Sequence, residues 1–278
     1  MSTDLTILNL GAGVQSTVVY LMALRGEIKI DCAIFSDLGE EPQAVYSHLE
    51  WLKSLNGPQI HTTSIGRLGD HLLAGQNSTG QRYASIPAFT AAEEGGAAGR
   101  VRRQCTAEYK VAPIEKFIRR TLLGLAKGER MPTTTRVGQL FGISLDEAGR
   151  ATRIRQNSPL WSVAQFPLID RMMTRDDCVE WLKDFGTPHT VPRSACVFCP
   201  FKSDNEWLRL RTHDAVGWAR AVEIDRALRT EGTVFSRNMN EKMYLHRSCR
   251  PLEVAHLNDA DRGQSTMFEA ECEGGCGL

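Results

Sequence analysis

The feature that most constrains the fold is an apolar run that leads directly into a glycine-rich turn near the N-terminus. Residues 5–10 (LTILNL) are almost continuously apolar, and residues 11–17 (GAGVQST) follow them at once. Such a run is typical of a strand buried on both faces of a parallel sheet, and small residues permit a tight turn into a helix. The segment therefore predicts the first strand, turn and helix of an α/β domain.

The same alternation of strand and helix continues along the chain. Residues 28–35, 60–64, 136–144 and 163–169 predict four more strands, and residues 42–55 predict a helix with Val45, Leu49 and Leu52 on one face. Thr174 can cap a further helix over 175–185 that ends at Gly186. This order predicts an α/β fold with a doubly wound, mostly parallel, Rossmann-like sheet.

Composition changes twice outside this pattern. Residues 66–99 are rich in Gly, Ala, Ser and Thr, which predicts a flexible loop or lid, or a disordered segment. A helix over 106–125 contains Pro113, where we expect a break or kink. After residue 191 the chain becomes rich in cysteine and aromatic residues. We therefore divide it into a nucleotide-binding domain (1–191) and a Cys-rich, helical or irregular C-terminal region (192–278).

Charge and length limit the functional classes. The 278 residues include 33 basic and 33 acidic ones, so total charge gives no case for binding nucleic acid or a membrane. No apolar run approaches the ~20 residues that span a bilayer. The N-terminus lacks the basic segment of a signal peptide, so a cytoplasmic location is expected. The eight cysteines should then stay reduced, which favours metal binding or thiol chemistry.

Several motifs indicate an anion site at the carboxyl edge of the sheet. The turn at 11–17 can offer backbone N–H groups and a helix N-terminus to a phosphate, although a turn that needs glycine only for packing is the alternative. Asp37 follows the second strand and could instead cap the next helix. The fourth strand ends near Gly142. The expected nucleotide-binding residues are Gly11, Ala12, Gly13, Gln15, Ser16, Thr17, Asp37 and Gly142.

A basic segment follows the long loop. Residues 100–130 contain nine basic and three acidic residues, a local net charge of +6, and include Lys110. Such a segment suits a polyphosphate, a sulfonucleotide or a nucleic-acid backbone, and a solvated helix face is the alternative.

The cysteines form a third pattern. Cys196 and Cys199 make a CxxC pair, for which Cys105, Cys249, Cys272 and Cys276 are the candidate partners. An all-thiolate set favours an iron–sulfur cluster or zinc, and the sequence leaves both open. Cys32 and Cys178 lie in apolar patterns and are expected in the core, and His246 is expected to be structural.

Together these motifs resemble the phosphoadenosine-phosphosulfate (PAPS) reductase branch of the PP-loop, or adenine-nucleotide α-hydrolase, superfamily. That family's loop reads Ser-Gly-Gly-x-Asp-Ser, where this chain has Gly-Ala-Gly-Val-Gln-Ser at 11–16. Residues 37–39 look like its Asp-Thr-Gly, and 105–113 like its Cys-(Cys)-x-x-x-Lys-x-x-Pro stretch. Residues 142–150 are similar to its Gly-x-Arg-x-x-Glu-x-x-Arg segment, with Ser144 at the first Arg. The likeness covers roughly residues 4–200.

The resemblance implies a set of roles for these residues. ATP, or the sulfonucleotides PAPS or APS, would bind at the sheet edge, with Mg²⁺ if ATP is used. A 4Fe–4S cluster would be held by Cys105, Cys196, Cys199 and Cys272, with zinc as the alternative metal. Lys110 and Arg150 would act in catalysis. Cys276 would correspond to the tail thiolate with which reductases attack their substrate.

These roles lead to one functional expectation and one rival. The chain is expected to be an ATP-pyrophosphatase-type sulfurtransferase or a PAPS/APS reductase-like oxidoreductase. Its partners would be tRNA or DNA as acceptor, a reductant or sulfur-donor protein, and a second copy in a homodimer. The rival is a zinc-stabilised nucleic-acid-binding or regulatory module with a vestigial nucleotide site, which the replacement of the loop Asp by Gln15 favours.

Overall fold

The structure is a computed structural model that describes residues 3–82, 84–91, 99–101, 104–231, 233 and 241–257. Eight strands are present in these residues: β1 (Leu5–Leu10), β2 (Cys32–Ser36), β3 (Gln59–Thr63), β4 (Phe89–Ala91), β5 (Gly99–Arg100), β6 (Val137–Phe141), β7 (Ser162–Gln165) and β8 (Lys242–Tyr244). The α-helices are α1 (Val14–Leu24), α2 (Gln43–Ser54), α3 (Leu68–Leu73), α4 (Ala112–Phe117), α5 (Ala148–Asn157), α6 (Pro167–Asp170), α7 (Arg175–Phe185), α8 (Asp204–His213) and α9 (Ala215–Ala227).

Five strands form the central sheet, all parallel, in the order β3-β2-β1-β6-β7. Winding proceeds outward from β1 through β2 to β3, then returns to the other side of β1 through β6 and β7. The carboxyl ends of β1 and β6 therefore flank the switch point, where open α/β sheets bind their ligands. The expected α/β parallel sheet is confirmed, and β4, β5 and β8 form a separate antiparallel sheet.

The two faces of the central sheet pack against different helices. Leu8 and Leu10 of β1 belong to a core cluster with residues of α1, α2 and α7. Ile7, on the opposite face, packs with Ile114 and Ile118 of the helical segment that precedes β6. Since the side chains of a strand alternate between its faces, both faces of β1 are covered, as its apolar sequence predicts.

Helical turns continue across Pro113, so the predicted break is absent. The π-helical segments Ala107–Val111 and Ile118–Leu122 flank α4 on either side. Proline has no N–H to donate, and wider helical turns are one way in which a helix accommodates a missing bond. Ser36 Oγ donates a 2.7 Å hydrogen bond to the carbonyl oxygen of Tyr109, which ties the first π-helical segment to the end of β2.

The Gly/Ala-rich stretch is more ordered than its composition suggests. It contains α3 and β4, and Ala84, Ile86 and Ala88 are buried in a second core cluster. That cluster also holds Trp207 and other residues of α8 and α9, so it joins chain segments from both sides of residue 192. Residues 83 and 92–98 lie outside the described part.

In the described residues, none of the helices combines the length and apolar character that crossing a bilayer requires.

Candidate functional site

A cavity opens at the carboxyl ends of β1, β2 and β6, beside the switch point. It encloses about 740 Å³, counting its opening to solvent. Apolar and aromatic side chains, including Phe35, Phe141 and Ile154, form much of its wall, and Gly11 of the glycine-rich turn borders it. Its polar lining residues are Asn9, Ser36, Lys110, Glu115, Gln139, Ser158 and Ser162. A mostly apolar cleft with a few convergent polar groups is the usual form of a small-ligand site.

The glycine-rich turn that leads into α1 borders this cavity through Gly11. Gly13 is the N-cap of α1, and Ala12 has a φ of +57°, in the left-handed region that residues with a Cβ atom rarely adopt. Ser16 Oγ accepts hydrogen bonds from the N–H groups of Gly11 (3.2 Å) and Gly13 (3.3 Å). The Ser16 hydroxyl therefore shapes the turn. The N–H groups at 14–16 have no intrahelical acceptor, since they belong to the first turn of the helix.

The absence of a side chain at Gly142 allows the end of β6 to approach the first turn of α1 closely. A Cβ atom on Gly142 would come within 2.5 Å of the Ser16 nitrogen and 2.6 Å of its Cα. The end of β6 and the first turn of α1 therefore touch backbone to backbone. We find Gly142 behind the turn, where it fixes the position of Gln15 and Ser16.

Gln15, which stands where the resembled family has an aspartate, lies in a buried polar network. Its Nε2 donates to Glu147 Oε2 (3.1 Å) and Ser144 Oγ (3.3 Å), and its Oε1 accepts from Arg175 Nη1 (2.9 Å). Arg150 forms a buried ion pair with Glu147. The carboxamide is thus held by protein groups, and Arg150 reaches the turn through Glu147 and Gln15.

Thr17 is fully buried below the turn. Its Oγ1 lies 2.8 Å from His48 Nε2, and His48 Nδ1 lies 2.8 Å from His189 Nε2. Burial, together with the smaller effect of the nearby His189, lowers the pKa of His48 to about 4. His48 is therefore neutral at pH 7, and Thr17 anchors α1 to α2.

Asp37 holds the loop that follows β2. Its Oδ1 accepts hydrogen bonds from the N–H of Gly39 (2.7 Å) and the hydroxyl of Tyr46 (2.8 Å). Burial and the hydrogen bond to Asp37 raise the pKa of Tyr46, so its hydroxyl stays a donor. The alternative role as helix cap is wrong, because the N-cap of α2 is Pro42.

Two buried glutamates follow in the same loop. Glu40 accepts hydrogen bonds from Arg220 and from the N–H of Gly69. Glu41 is 5% exposed, and its Oε1 lies 3.6 Å from Lys110 Nζ. Neither carboxylate oxygen of Glu41 has a hydrogen-bond partner among the residues that the structure describes. A buried carboxylate needs a counter-charge, so Glu41 holds the ammonium group of Lys110 at this edge.

A second cavity, of about 420 Å³ counting its opening to solvent, is lined by three of the predicted thiols. Cys105, Cys196 and Cys199 all line it, although more than 90 residues separate the first from the other two. Lys110 lines this cavity as well as the first one. The N–H of Val197, within the CxxC turn, donates a 2.7 Å hydrogen bond to the Glu40 carbonyl. The loop at 37–41 thus positions both the thiol turn and Lys110.

The donor chemistry of this cavity suits a thiophilic metal group, because soft thiolates favour iron–sulfur clusters and zinc. The three cysteines carry reduced thiols. Within the described ranges, no three His, Cys, Asp or Glu side chains are arranged to hold one metal ion together. Cys272 and Cys276, the remaining predicted participants, lie outside the described residues.

Other sequence predictions have structural outcomes. Cys32 and Cys178 are buried in the core, as predicted. His246 is buried, with Nε2 3.0 Å from Asp204 Oδ1 and Nδ1 2.7 Å from Ser248 Oγ, which fits the predicted structural role. In the basic segment, Arg119 and Arg120 donate to carbonyl oxygens at 125, 126 and 129. Arg102 and Arg103 lie outside the described residues.

Sequence reasoning missed three polar residues of the site: Asn9, Gln139 and Glu41. Asn9 and Gln139 interrupt otherwise apolar strands, and a lone carboxamide in such a run could have marked the cavity. Glu41 gave no comparable indication, because adjacent acidic residues in a loop are ordinarily solvated.

No family model matches the chain, and no curated protein shows significant sequence similarity to it.

Proposed function

We propose that this protein is a PP-loop-type enzyme that binds an adenine nucleotide at the switch-point cavity and couples it to sulfur chemistry at the neighbouring thiols. One observation carries the proposal: Lys110 lines both the nucleotide cavity and the cavity of Cys105, Cys196 and Cys199. A cationic group between an anion site and a thiol site is suited to a reaction between a phosphate or sulfonate group and a sulfur nucleophile.

The nucleotide would bind with its base against the apolar wall and its phosphates at the N-terminus of α1. The N–H groups of the first helical turn and the helix dipole favour an anion there. Lys110, held by Glu41, would stabilise the negative charge that develops on a phosphate or sulfonate oxygen. Arg150 is a positioning residue in this scheme, since it acts through Glu147 and Gln15.

With ATP, brought as its Mg²⁺ complex, an acceptor oxygen of tRNA or DNA would form a bond to the α-phosphorus as the bond to pyrophosphate breaks. A sulfur nucleophile would then displace AMP from the activated acceptor. With PAPS or APS, a thiolate of the C-terminal tail would instead attack the substrate sulfur, and Cys276 is the candidate from the resemblance. The bond between that sulfur and the phosphate oxygen would break, PAP or AMP would leave, and the cysteine would carry the sulfonate. A thiol of the reductant protein would then release sulfite and form a disulfide with the cysteine.

Cys105, Cys196 and Cys199 would hold a 4Fe–4S cluster, with Cys272 as the fourth ligand implied by the resemblance. A bound cluster would supply a thiophilic iron site for holding or transferring sulfur. The chain's own contribution is the CxxC turn, which the Val197–Glu40 hydrogen bond fastens to the edge of the sheet.

The direct test is a product assay on anaerobically purified protein. Pyrophosphate release from ATP supports the sulfurtransferase route, and sulfite release from PAPS or APS supports the reductase route. Lys110→Met should lower either activity by at least about 100-fold, the effect expected for loss of one electrostatic group. Lys116→Met, at an exposed site in α4, is the matched control and should retain activity. Silence in both assays would contradict the proposal.

The rival module has one observation in its favour, since Gln15 is fully engaged with protein groups and the loop lacks the family's carboxylate. Under that alternative the purified protein would be colourless, would contain stoichiometric zinc, and would bind no nucleotide.

A further inference from the structure

We infer that the switch-point cavity accepts a nucleotide whose anionic groups are all on the 5′ side of the ribose, and that Glu115 rejects a 3′-phosphate. This inference rests on the proposed function, because it concerns the ligand of the same cavity. It separates the candidate substrates, since ATP and APS have a free 3′-hydroxyl whereas PAPS has a phosphate at that position.

The cavity has one positive and one negative side chain in its described lining. Lys110 and Glu115 are the ionisable residues there, and the other polar lining residues are neutral amides and hydroxyls. The buried carboxylate of Glu41, 3.6 Å from Lys110 Nζ, already opposes the positive charge. The described lining therefore provides cationic binding for one anionic group, next to the glycine-rich turn, and has no second cation for another.

Glu115 lies further from the carboxyl edge of the sheet than Lys110 does. The carbonyl of Tyr109, beside Lys110, is hydrogen-bonded at the end of β2. Ile114, beside Glu115, packs instead in the cluster that contains the first residues of β2 and β6. The helical segment thus runs from the carboxyl ends of the strands toward their amino ends. At about 1.5 Å per residue, the two charged groups are roughly 7 Å apart along it.

The surroundings of Glu115 make an additional negative charge unfavourable. Burial raises the pKa of Glu115 more than the positive charge of Arg119, one turn later, lowers it. The Arg119 guanidinium also donates a 2.7 Å hydrogen bond from Nη2 to the Glu129 carbonyl. The walls of the cavity are largely apolar, and like charges repel more strongly where water is excluded.

This distribution of charge separates the nucleotides by their 3′ position. The 5′ phosphates, or the phosphosulfate, can use Lys110 and the N–H groups of the first turn of α1. A 3′-hydroxyl is neutral and can donate a hydrogen bond to a carboxylate, whereas a 3′-phosphate would bring further negative charge into the cavity that Glu115 lines. Proteins reject wrong ligands by such like-charge pairs. The reductase route would then use APS, and the ATP route would be unaffected.

The test compares nucleotides that differ only in the 3′-phosphate. Binding of APS and PAPS to the anaerobically purified full chain is measured by calorimetry at pH 8, and the same comparison is made with ATP and its 3′-phosphorylated form. The wild type should bind the 3′-hydroxyl member of a pair at least about ten-fold more tightly. Glu115→Gln should bring the ratio within about two-fold by tightening the binding of the 3′-phosphorylated member. A damaged fold would not produce such a gain in affinity.

Two further variants keep the test decisive. Glu27→Gln, at an exposed position outside the cavity lining, should keep the wild-type ratio. If Glu115→Gln does not fold, Glu115→Ala removes the same charge with a strong helix former and should give the same loss of preference. A wild type that binds both members of a pair equally, or a Glu115 variant with an unchanged ratio, overturns this inference alone. A wild type that binds none of ATP, APS and PAPS overturns the proposed function with it.

Discussion

At the scale of a single residue, the hydroxyl of Ser16 determines the shape of the glycine-rich turn. It accepts hydrogen bonds from the N–H groups of Gly11 and Gly13, and its Oγ lies 3.3 Å from the Gly13 carbonyl. The hydroxyl thus makes its hydrogen bonds within its own turn. The turn would therefore offer its backbone to a phosphate. Gly142 packs against the Ser16 backbone, and Thr17 Oγ1 contacts His48 Nε2, so both residues help to fix the backbone of the turn.

The contact between Gly142 and the turn gives the first prediction. Gly142→Ala places a Cβ against the Ser16 backbone, which cannot move aside as a flexible side chain would. We expect a loss of about 1–3 kcal/mol in the free energy of unfolding, measured by urea denaturation, together with weaker ATP binding.

Gly149→Ala is the matched control for this change. A Cβ on Gly149 meets nothing within 4 Å, and the residue lies in α5. Replacing a helical glycine by alanine should stabilise the protein by about 0.5–1 kcal/mol. Equal effects of the two substitutions would show that the Gly142 contact is unimportant.

The buried His48 gives a prediction for pH dependence. Its pKa is about 4 in the folded protein, below the ordinary value of about 6.5, so the unfolded chain binds a proton more readily in this window. The free energy of unfolding should therefore fall as the pH drops from about 6.5 to about 4, by up to about 3 kcal/mol from this group. His48→Gln keeps a polar atom near Thr17 and cannot take up the proton, so its stability should depend less on pH.

Urea unfolding at pH 7 and pH 4.5 checks this expectation. His61→Gln, at a partly buried position in β3, serves as the control. A wild type and a His48→Gln variant with the same pH dependence would contradict the role assigned to His48.

At the scale of the elements, local sequence determined some boundaries and tertiary contacts determined others. β1 spans the predicted residues, and α7 begins after Thr174 and ends at Gly186, which has the left-handed φ of +82°. β2 begins at Cys32, four residues later than predicted. Asp31, just before it, bonds to Thr6 of β1 through both backbone and side chain: its N–H donates to the Thr6 carbonyl (2.8 Å), and its Oδ2 accepts from the Thr6 N–H (2.7 Å). That partner is 25 residues distant, so no local pattern could reveal it.

The second core cluster was beyond local prediction for the same reason. Ala84, Ile86 and Ala88 occur in a composition typical of loops, yet they are buried against residues of α8 and α9. Small apolar residues carry little periodic pattern, and their burial depends on helices more than 100 residues later in the chain.

The N-cap of α7 gives a prediction for an element. Thr174 Oγ1 accepts a 3.2 Å hydrogen bond from the Asp177 N–H, and the helix that follows supplies Arg175 to Gln15. Thr174→Ala should lower the free energy of unfolding by about 1 kcal/mol in urea denaturation. Thr152→Ala, at an exposed site in α5, should change it by less than about 0.5 kcal/mol. A Thr174→Ala variant as stable as the wild type would contradict the cap assignment.

At the scale of the whole molecule, the loop at 37–41 joins the two halves of the site. Its residues bind the CxxC turn, Arg220 of α9 and Lys110. The sequence motifs singled out Lys110 and the three thiols, and these residues line the two cavities. They could not predict that Glu41 would hold Lys110, since that pairing depends on how a loop after β2 meets a helix about 70 residues later.

The convergence of the thiols gives the next prediction. In anaerobically purified protein, Cys196→Ser should lose the iron–sulfur absorption near ~400 nm and most of the bound iron. Cys249→Ser is the matched control, because Cys249 is outside the lining of the thiol cavity, and it should keep the colour. Retained absorption in Cys196→Ser would overturn the ligand assignment.

The most direct test of the account is an anaerobic titration of the full chain with ATP, followed by absorption near ~400 nm. Lys110 lines both cavities, so a nucleotide bound in one should alter the electrostatic environment of the other. We expect a saturable spectral change with ATP in the wild type that is lost in Lys110→Met. A coloured protein whose spectrum stays constant at saturating ATP would contradict the coupling of the two sites, and a colourless protein would contradict the cluster itself.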